Sequence, residues 1–158
     1  MNGVKLIHGN CLEVMPHIKD GCIDCIICDL PYGTTQNNWD SVIPFEDLWK
    51  NYTRIIKDNG AIVLFSDGLF MAELMLSNKK MWKYNLVWDK VLTSGFLNAN
   101  RQPLRQHEEI AVFYRKRPVY NPQKTKGKPN HRKGQNKTNR NNNYGNYEFI
   151  DNAEELGD

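Results

Sequence analysis

Two hydrophobic periods alternate through the first 114 residues, and they predict an α/β protein. "VKLIH" (4–8) predicts a short strand, after which Asn10 caps a brief helix, with Glu13 placed to complete a capping-box-like pair and Pro16 to keep the helix short. "CIDCIIC" (22–28) is an apolar, partly β-branched run of the kind covered on both faces in a parallel sheet, and it ends at Asp29. After the polar loop "GTTQNNWDSV", Pro44 opens a helix in which Phe45, Leu48, Trp49, Tyr52, Ile55 and Ile56 share one face, with Gly60 as its stop. "AIVLF" (61–65) predicts a second buried strand and "GLFMAELML" (68–76) an amphipathic helix. "YNLVW" (84–88) predicts a third core strand and "EEIAVFYR" (108–115) a fourth.

The pattern then stops. Residues 121–147, "NPQKTKGKPNHRKGQNKTNRNNNYGNY", are rich in Asn, Lys, Gly and Pro and nearly free of aliphatic residues, so they predict a mobile insertion rather than a second core. The formal net charge is +3, but it is unevenly spread. Between Ile110 and Tyr147 there are ten Lys or Arg and no acid, which leaves eleven basic and eighteen acidic residues elsewhere, a formal −7. A block of one sign suggests an anionic partner, nucleic acid being the commonest, or else a solvated tail. Phosphate contact is the preferred reading, through Arg101, Lys124, Lys126, Lys128, Arg132 and Lys133.

At 158 residues one domain is expected, and 40% hydrophobic residues suffice for a core. No run approaches the ~18 apolar residues of a membrane span, and "MNGVKLIHGN" does not look like a signal peptide, so a cytoplasmic setting is predicted. Cys11, Cys22, Cys25 and Cys28 are then expected to be reduced. The spacing C-x₂-C-x₂-C superficially suggests a metal site. Along a strand, however, Cys25 faces away from Cys22 and Cys28, so small buried apolar thiols are expected and no metal is assigned.

The candidate chemistry lies in "DLPYG" (29–33). In open parallel sheets ligands bind beyond the carboxyl ends of strands, where Asp29 falls. Its carboxylate can accept from an amino group, and Pro31 fixes the backbone so that the Leu30 carbonyl can serve as a second acceptor. Tyr32 adds a face on which an unpaired base can stack, and Gly33 permits close approach. Together these describe a pocket for the exocyclic amine of a nucleobase, with positioning as the main catalytic device. Alone, D-x-P-Y is equally compatible with a tight surface turn.

"DLPYG" resembles the [D/N/S]-P-P-[Y/F/W] motif of amino methyltransferases acting on DNA adenine N6 or cytosine N4. "LIHGNCLEVMPHIKDGCIDCIICDLPYGTTQNNWD", "NGAIVLFS", "YNLVWDK" and "RQPLRQHEEIAVFYRK" are similar, in the same order, to the β-group enzymes and especially to adenine methyltransferases of phage type. The resemblance implies a Rossmann-like methyltransferase fold, a mostly parallel sheet with flanking helices, and S-adenosylmethionine as cofactor. It also implies a DNA substrate whose target base is flipped out, in a bacterial or phage setting of restriction protection or phage modification. Carried over, it makes Asp29, Leu30, Pro31 and Tyr32 catalytic and sets Asn10, Asp29 and Leu30 near the cofactor. His107 and Glu108 match the family's "HE".

Leu30 stands where the family has its first proline, and the later "F-x-G-x-G" cofactor turn has no counterpart. An incomplete fold without the C-terminal glycine-loop half is therefore expected. Its expected parts are a catalytic-motif region (1–118), a basic target-recognition segment (119–150) and the start of a further segment (151–158). The chain would be a truncated or partial enzyme, with a homodimer or a second chain supplying the missing loop. The rivals are N4-cytosine methylation and a catalytically inactive DNA-binding remnant.

Overall fold

A computed structural model of the protein describes residues 3–38 and 40–124. The chain divides into two units, Met1–Val119 and Tyr120–Asp158; of the second, residues 120–124 are described and carry no helix or strand. Lys126, Lys128, Arg132 and Lys133 lie outside the described residues, as does Trp39.

The first unit opens without the predicted strand. Residues 4–8 are irregular, and Val4 and Leu6 are almost fully exposed, with no strand among the described residues offering them a ladder. Asn10 then caps α1 (Cys11–Val14), its side-chain oxygen accepting from the Leu12 amide at 3.0 Å. Asn10 also donates to the Glu13 carboxylate at 3.4 Å, so the pairing with Glu13 forms between side chains. Pro16 ends the α-helix in a 3₁₀ turn, Met15–His17.

Strand β1 (Ile23–Asp29) follows, then helix α2 (Phe45–Ile55). Glu46 and Asp47 in the first turn of α2 suit the positive end of the helix, and Leu48, Trp49, Tyr52 and Ile55 form its buried face. The helix stops at Ile55, earlier than expected. Ile56 adopts φ −73°, ψ 140° and begins β2 (Ile56–Ser66) directly. Gly60 is thus inside a strand, and its role is close approach rather than helix termination: a Cβ there would lie 2.8 Å from the Asp24 carbonyl oxygen and 2.7 Å from Ile56 Cγ1. The β1–β2 ladder is irregular at this place, jumping from Ile23↔Ile56 to Cys25↔Ala61.

Helix α3 (Gly68–Ser77), β3 (Trp82–Ser94) and β4 (Arg105–Phe113) complete the unit, with a 3₁₀ turn Phe96–Asn98 between the last two strands. The described strands form one sheet in the order β1-β2-β4-β3. β1 and β2 pair in parallel, whereas β4 runs antiparallel to both β2 and β3, so β1, β2 and β3 share one direction. This is a mixed α/β sheet with helices packed against it, the expected fold class.

One sheet face carries Ile62, Leu64, Ala111 and Phe113, all fully buried in the core with Leu48, Trp49, Met71 and Leu74 from the helices. Trp49 packs on Phe113 with ring centroids 4.8 Å apart. The opposite face is more open: Ile27 is 69% exposed, and Tyr84, Leu86 and Trp88 are also exposed. Among the described residues, 84–88 therefore form an edge strand instead of a core strand, and β1 is covered on one face only. Cys11, Cys22 and Cys25 are exposed and Cys28 is half-buried, which corrects the expectation of buried thiols. Of the remaining tryptophans, Trp49 is core, while Trp82 and Trp88 are partly open.

Candidate functional site

Asp29 is the last residue of β1, in register with Phe65 of β2, and its side chain is exposed at the carboxyl end of the parallel pair. Leu30 points the other way chemically: its side chain is buried in the core and anchors the turn that follows. Pro31 and Tyr32 are half-buried. The Tyr32 hydroxyl donates to Asp29 Oδ1 at 2.9 Å, and its ring stacks on Phe70 of α3, with centroids 5.0 Å apart and planes inclined by 27°. Phe70 in turn meets Phe45 of α2 at 5.8 Å, so a row of three rings runs from the core to the strand end.

The loop after Tyr32 is tied down by one carboxylate. Asp40 accepts from the backbone amides of Gly33 (2.8 Å), Thr34 (2.9 Å) and Thr35 (2.6 Å). Gly33 has φ +68°, a conformation that suits glycine and that turns successive amides toward one centre. Hydrogen bonds from the Thr35 side chain and these amides hold the Asp40 carboxyl below the usual carboxylate range.

Burial, the hydrogen bond to Asp29 and the negative charges of Asp29 and Glu108 push the Tyr32 phenol well above its ordinary value, so it remains a neutral donor. Burial likewise raises Cys28 and Tyr52. Cys28 is therefore a protonated thiol rather than a nucleophile.

A cleft of about 460 Å³ opens beside Tyr32, walled by Gly33, Thr34, Asp67, Phe70 and Arg105. Asp67 and Arg105 form an ion pair across it. A larger hollow of about 590 Å³ lies by Leu12, Pro16 and Arg54, away from the strand end, and Arg54 is already engaged there by the carbonyls of Met15 and Ile18. Of Asp29, Leu30, Pro31 and Tyr32, Tyr32 lines this cleft, and Asp29 is tied to it through the Tyr32 hydroxyl. Asn10 is exposed and committed to its helix cap. His107 is exposed opposite Asp89, while Glu108 pairs with Lys90. Arg101 and Lys124 are exposed.

Sequence reasoning did not single out Phe70, Asp40, Asp67 or Arg105. The one available signal was an acid seven residues beyond Gly33 in a loop rich in Thr and Asn.

The same arrangement of strands and helices occurs in solved structures. The M1.HpyAVI–SAM complex matches with TM-score 0.57 at 19% identity, over 76% of this chain and 61% of that one. The PvuII cytosine-N4-specific DNA methyltransferase matches with TM-score 0.55 at 12% identity, over 70% and 49% respectively. A DNA modification methylase described as putative, from Thermus thermophilus, matches with TM-score 0.50 at 14% identity, over 74% of this chain and 54% of that one. This chain accordingly spans about three-fifths or less of the length of these proteins. Among the described residues no helix is long and apolar enough to cross a membrane. The family model for DNA methylases of the N6/N4 type matches residues 23–153, most of the sequence, and the chain belongs to that family.

Proposed function

We propose that this chain carries the amine-binding part of the centre of a site-specific DNA methyltransferase that uses S-adenosylmethionine and acts on adenine N6. The observation that carries the reading is Asp29-Leu30-Pro31-Tyr32 at the carboxyl end of β1, with Tyr32 lining an open cleft. The SAM-bound M1.HpyAVI structure supports the cofactor.

Asp29 and the Leu30 carbonyl accept the two hydrogens of the exocyclic amine, which keeps the nitrogen lone pair directed away from both acceptors. With Oδ1 of Asp29 engaged by the Tyr32 hydroxyl, Oδ2 is the oxygen left for the amine. Phe70 backs one face of Tyr32, and the base stacks on the other. The residues present suit the reacting end of the cofactor, because an exposed carboxylate at Asp29 favours an adjacent sulfonium cation. When bound, the cofactor supplies an electrophilic methyl group on that sulfonium. The Asp29 carboxylate, through Oδ2, would hold the amine facing that methyl and is the group placed to take up the proton the amine loses. Asn10, otherwise occupied as a cap, would contribute to the cofactor only by leaving it. Arg101 and Lys124, with Lys126, Lys128, Arg132 and Lys133, contact DNA phosphates in this reading.

The test is transfer of a labelled methyl group from S-adenosylmethionine to DNA, followed by nucleoside analysis. N6-methyladenine is expected for the wild type and none for Asp29→Ala with DNA binding retained. Methylation by Asp29→Ala would sink the assignment. N4-methylcytosine would establish the second reading, which the likeness to the PvuII enzyme favours.

A further inference from the structure

Resting on that reading, we propose that Asp40 is a positioning residue for the amine pocket: its carboxylate gathers the amides of Gly33, Thr34 and Thr35 and so fixes the position of Tyr32 against Phe70. Three bonds of 2.6–2.9 Å converge on one side chain that is only 8% exposed. The arrangement has the form of an anion nest, a concave run of backbone N–H groups that favours negative charge, with the protein's own carboxylate as the anion.

The tether acts where it matters for Tyr32. Gly33, the next residue, takes φ +68°, and a Cβ there would lie 2.9 Å from Val42 Cγ2, so the chain leaves Tyr32 through a fixed and crowded turn. The far end of the loop is closed as well, since the Asp40 amide donates to the Asn37 carbonyl at 2.9 Å and Asn37 donates to Thr35 Oγ1. Gly33 and Thr34 also wall the cleft beside Tyr32. Without the carboxylate, three amides would point at an empty centre and Tyr32 would keep Phe70 on one side and an untethered loop on the other. Pre-paid placement of this kind is how residues remote from the reacting atoms affect a reaction that depends on positioning.

Asparagine tests the charge with little change of shape, because its NH₂ would set donor against donor at one of the three amides. The experiment compares the wild-type chain with Asp40→Asn and Asp40→Glu by amide hydrogen exchange. In parallel, each is titrated with a single-stranded oligonucleotide containing 2-aminopurine, read by fluorescence quenching for stacking and by anisotropy for overall binding. In Asp40→Asn, exchange at Gly33, Thr34 and Thr35 is expected to rise about tenfold or more, as for loss of charge-assisted hydrogen bonds. The amides of Ile62 and Leu64 should stay protected as the folding control, quenching should fall severalfold, and anisotropy should change little.

Asp40→Glu, with its charge on a longer arm, is expected to fall between the two, and it carries the comparison if the asparagine variant does not fold. Unchanged exchange at the three amides, or unchanged quenching beside a wild type that quenches, overturns the role of Asp40 alone. A wild type that binds the probe without quenching it overturns the base-pocket reading itself, whatever the exchange shows.

Discussion

Phe70 lies against Tyr32 with ring centroids 5.0 Å apart, although the two belong to different elements and are 38 positions apart in the chain. The pairing divides the tyrosine into two parts with separate tasks: a ring held flat by a core residue and a hydroxyl that reaches back to Asp29. Those tasks can be separated by mutation. Tyr32→Ala removes the stacking face, worth about 1 to 3 kcal/mol per base, so affinity for an extruded base should fall roughly 5- to 150-fold. Tyr32→Phe keeps the ring and should retain most base affinity while changing the turnover rate through the freed Asp29 oxygen. Equilibrium binding and single-turnover methylation of both variants check this, and equal base affinity for the two would contradict it.

The raised phenols predict alkaline instability. Burial comes first among the causes at both Tyr32 and Tyr52, and both hold their protons more tightly when folded than at the ordinary value of 10.0. The unfolded chain then releases protons that the folded chain keeps, so unfolding becomes easier as pH rises past about 10 and continues to do so until the folded phenols ionise. Below that range neither tyrosine makes stability depend on pH. Urea midpoints measured in steps of pH should decline from this point upward. Phenolate absorbance should show Tyr32 and Tyr52 ionising only as the chain unfolds.

How far the sequence revealed this molecule depends on whether the relevant physics is periodic. Leu48, Trp49, Tyr52 and Ile55 repeat at helical spacing, and their face is the buried one. Ile62 and Leu64 were equally plain as strand core. Ile56 was not, because an apolar residue at that phase satisfies both the end of α2 and the start of β2, and only pairing with Ile23 decides between them. Residues 4–8 show the same limit in reverse: their pattern favours a strand, but a strand exists only where another chain segment accepts its hydrogen bonds.

The position of Asp29 and Tyr32 at the carboxyl end of β1 was legible because the apolar run stops at the acid. Phe70 was hidden among the apolar residues of an apolar helix, and Asp40 among loop residues, where a single acceptor leaves no repeating signal.

Arg54 should matter more than its ion pair suggests. Its Nη1 donates to the Ile18 carbonyl and its Nη2 to the Met15 carbonyl, each at 2.7 Å, while Nη1 also meets the exposed carboxylate of Asp20. Lysine cannot span both carbonyls with one ammonium group, so Arg54→Lys should cost about 1 to 3 kcal/mol by releasing one or both. Asp20→Asn removes only a surface pair and should cost under about 1 kcal/mol. Thermal unfolding is the measurement, with about 2 to 4 °C expected per kcal/mol for a domain of this size. The reverse order of the two losses would mean that the ion pair, and not the carbonyls, fixes the turn before β1.

Gly33 and Gly21 give a controlled comparison between stability and function. Both have positive φ, +68° and +56°, so alanine at either position incurs the left-handed penalty of about 1 to 2 kcal/mol. At Gly21 a Cβ would meet nothing within 4 Å, whereas at Gly33 it would lie 2.9 Å from Val42 Cγ2. The alanine at Gly33 must therefore push the loop away from Val42 or rotate the chain beside Tyr32. Either movement lengthens the Gly33 bond to Asp40 and shifts the tyrosine ring against Phe70. Gly21→Ala should lose thermal stability while keeping base stacking and methyl transfer. Gly33→Ala should lose at least as much stability and also most of its base stacking, because a displacement near 1 Å at a positioned group can cost about 10²-fold in rate. Both chains would be measured by thermal unfolding and by 2-aminopurine quenching at a temperature where each is folded. Equal stacking in the two would show that the position of Tyr32 is set by Phe70 alone.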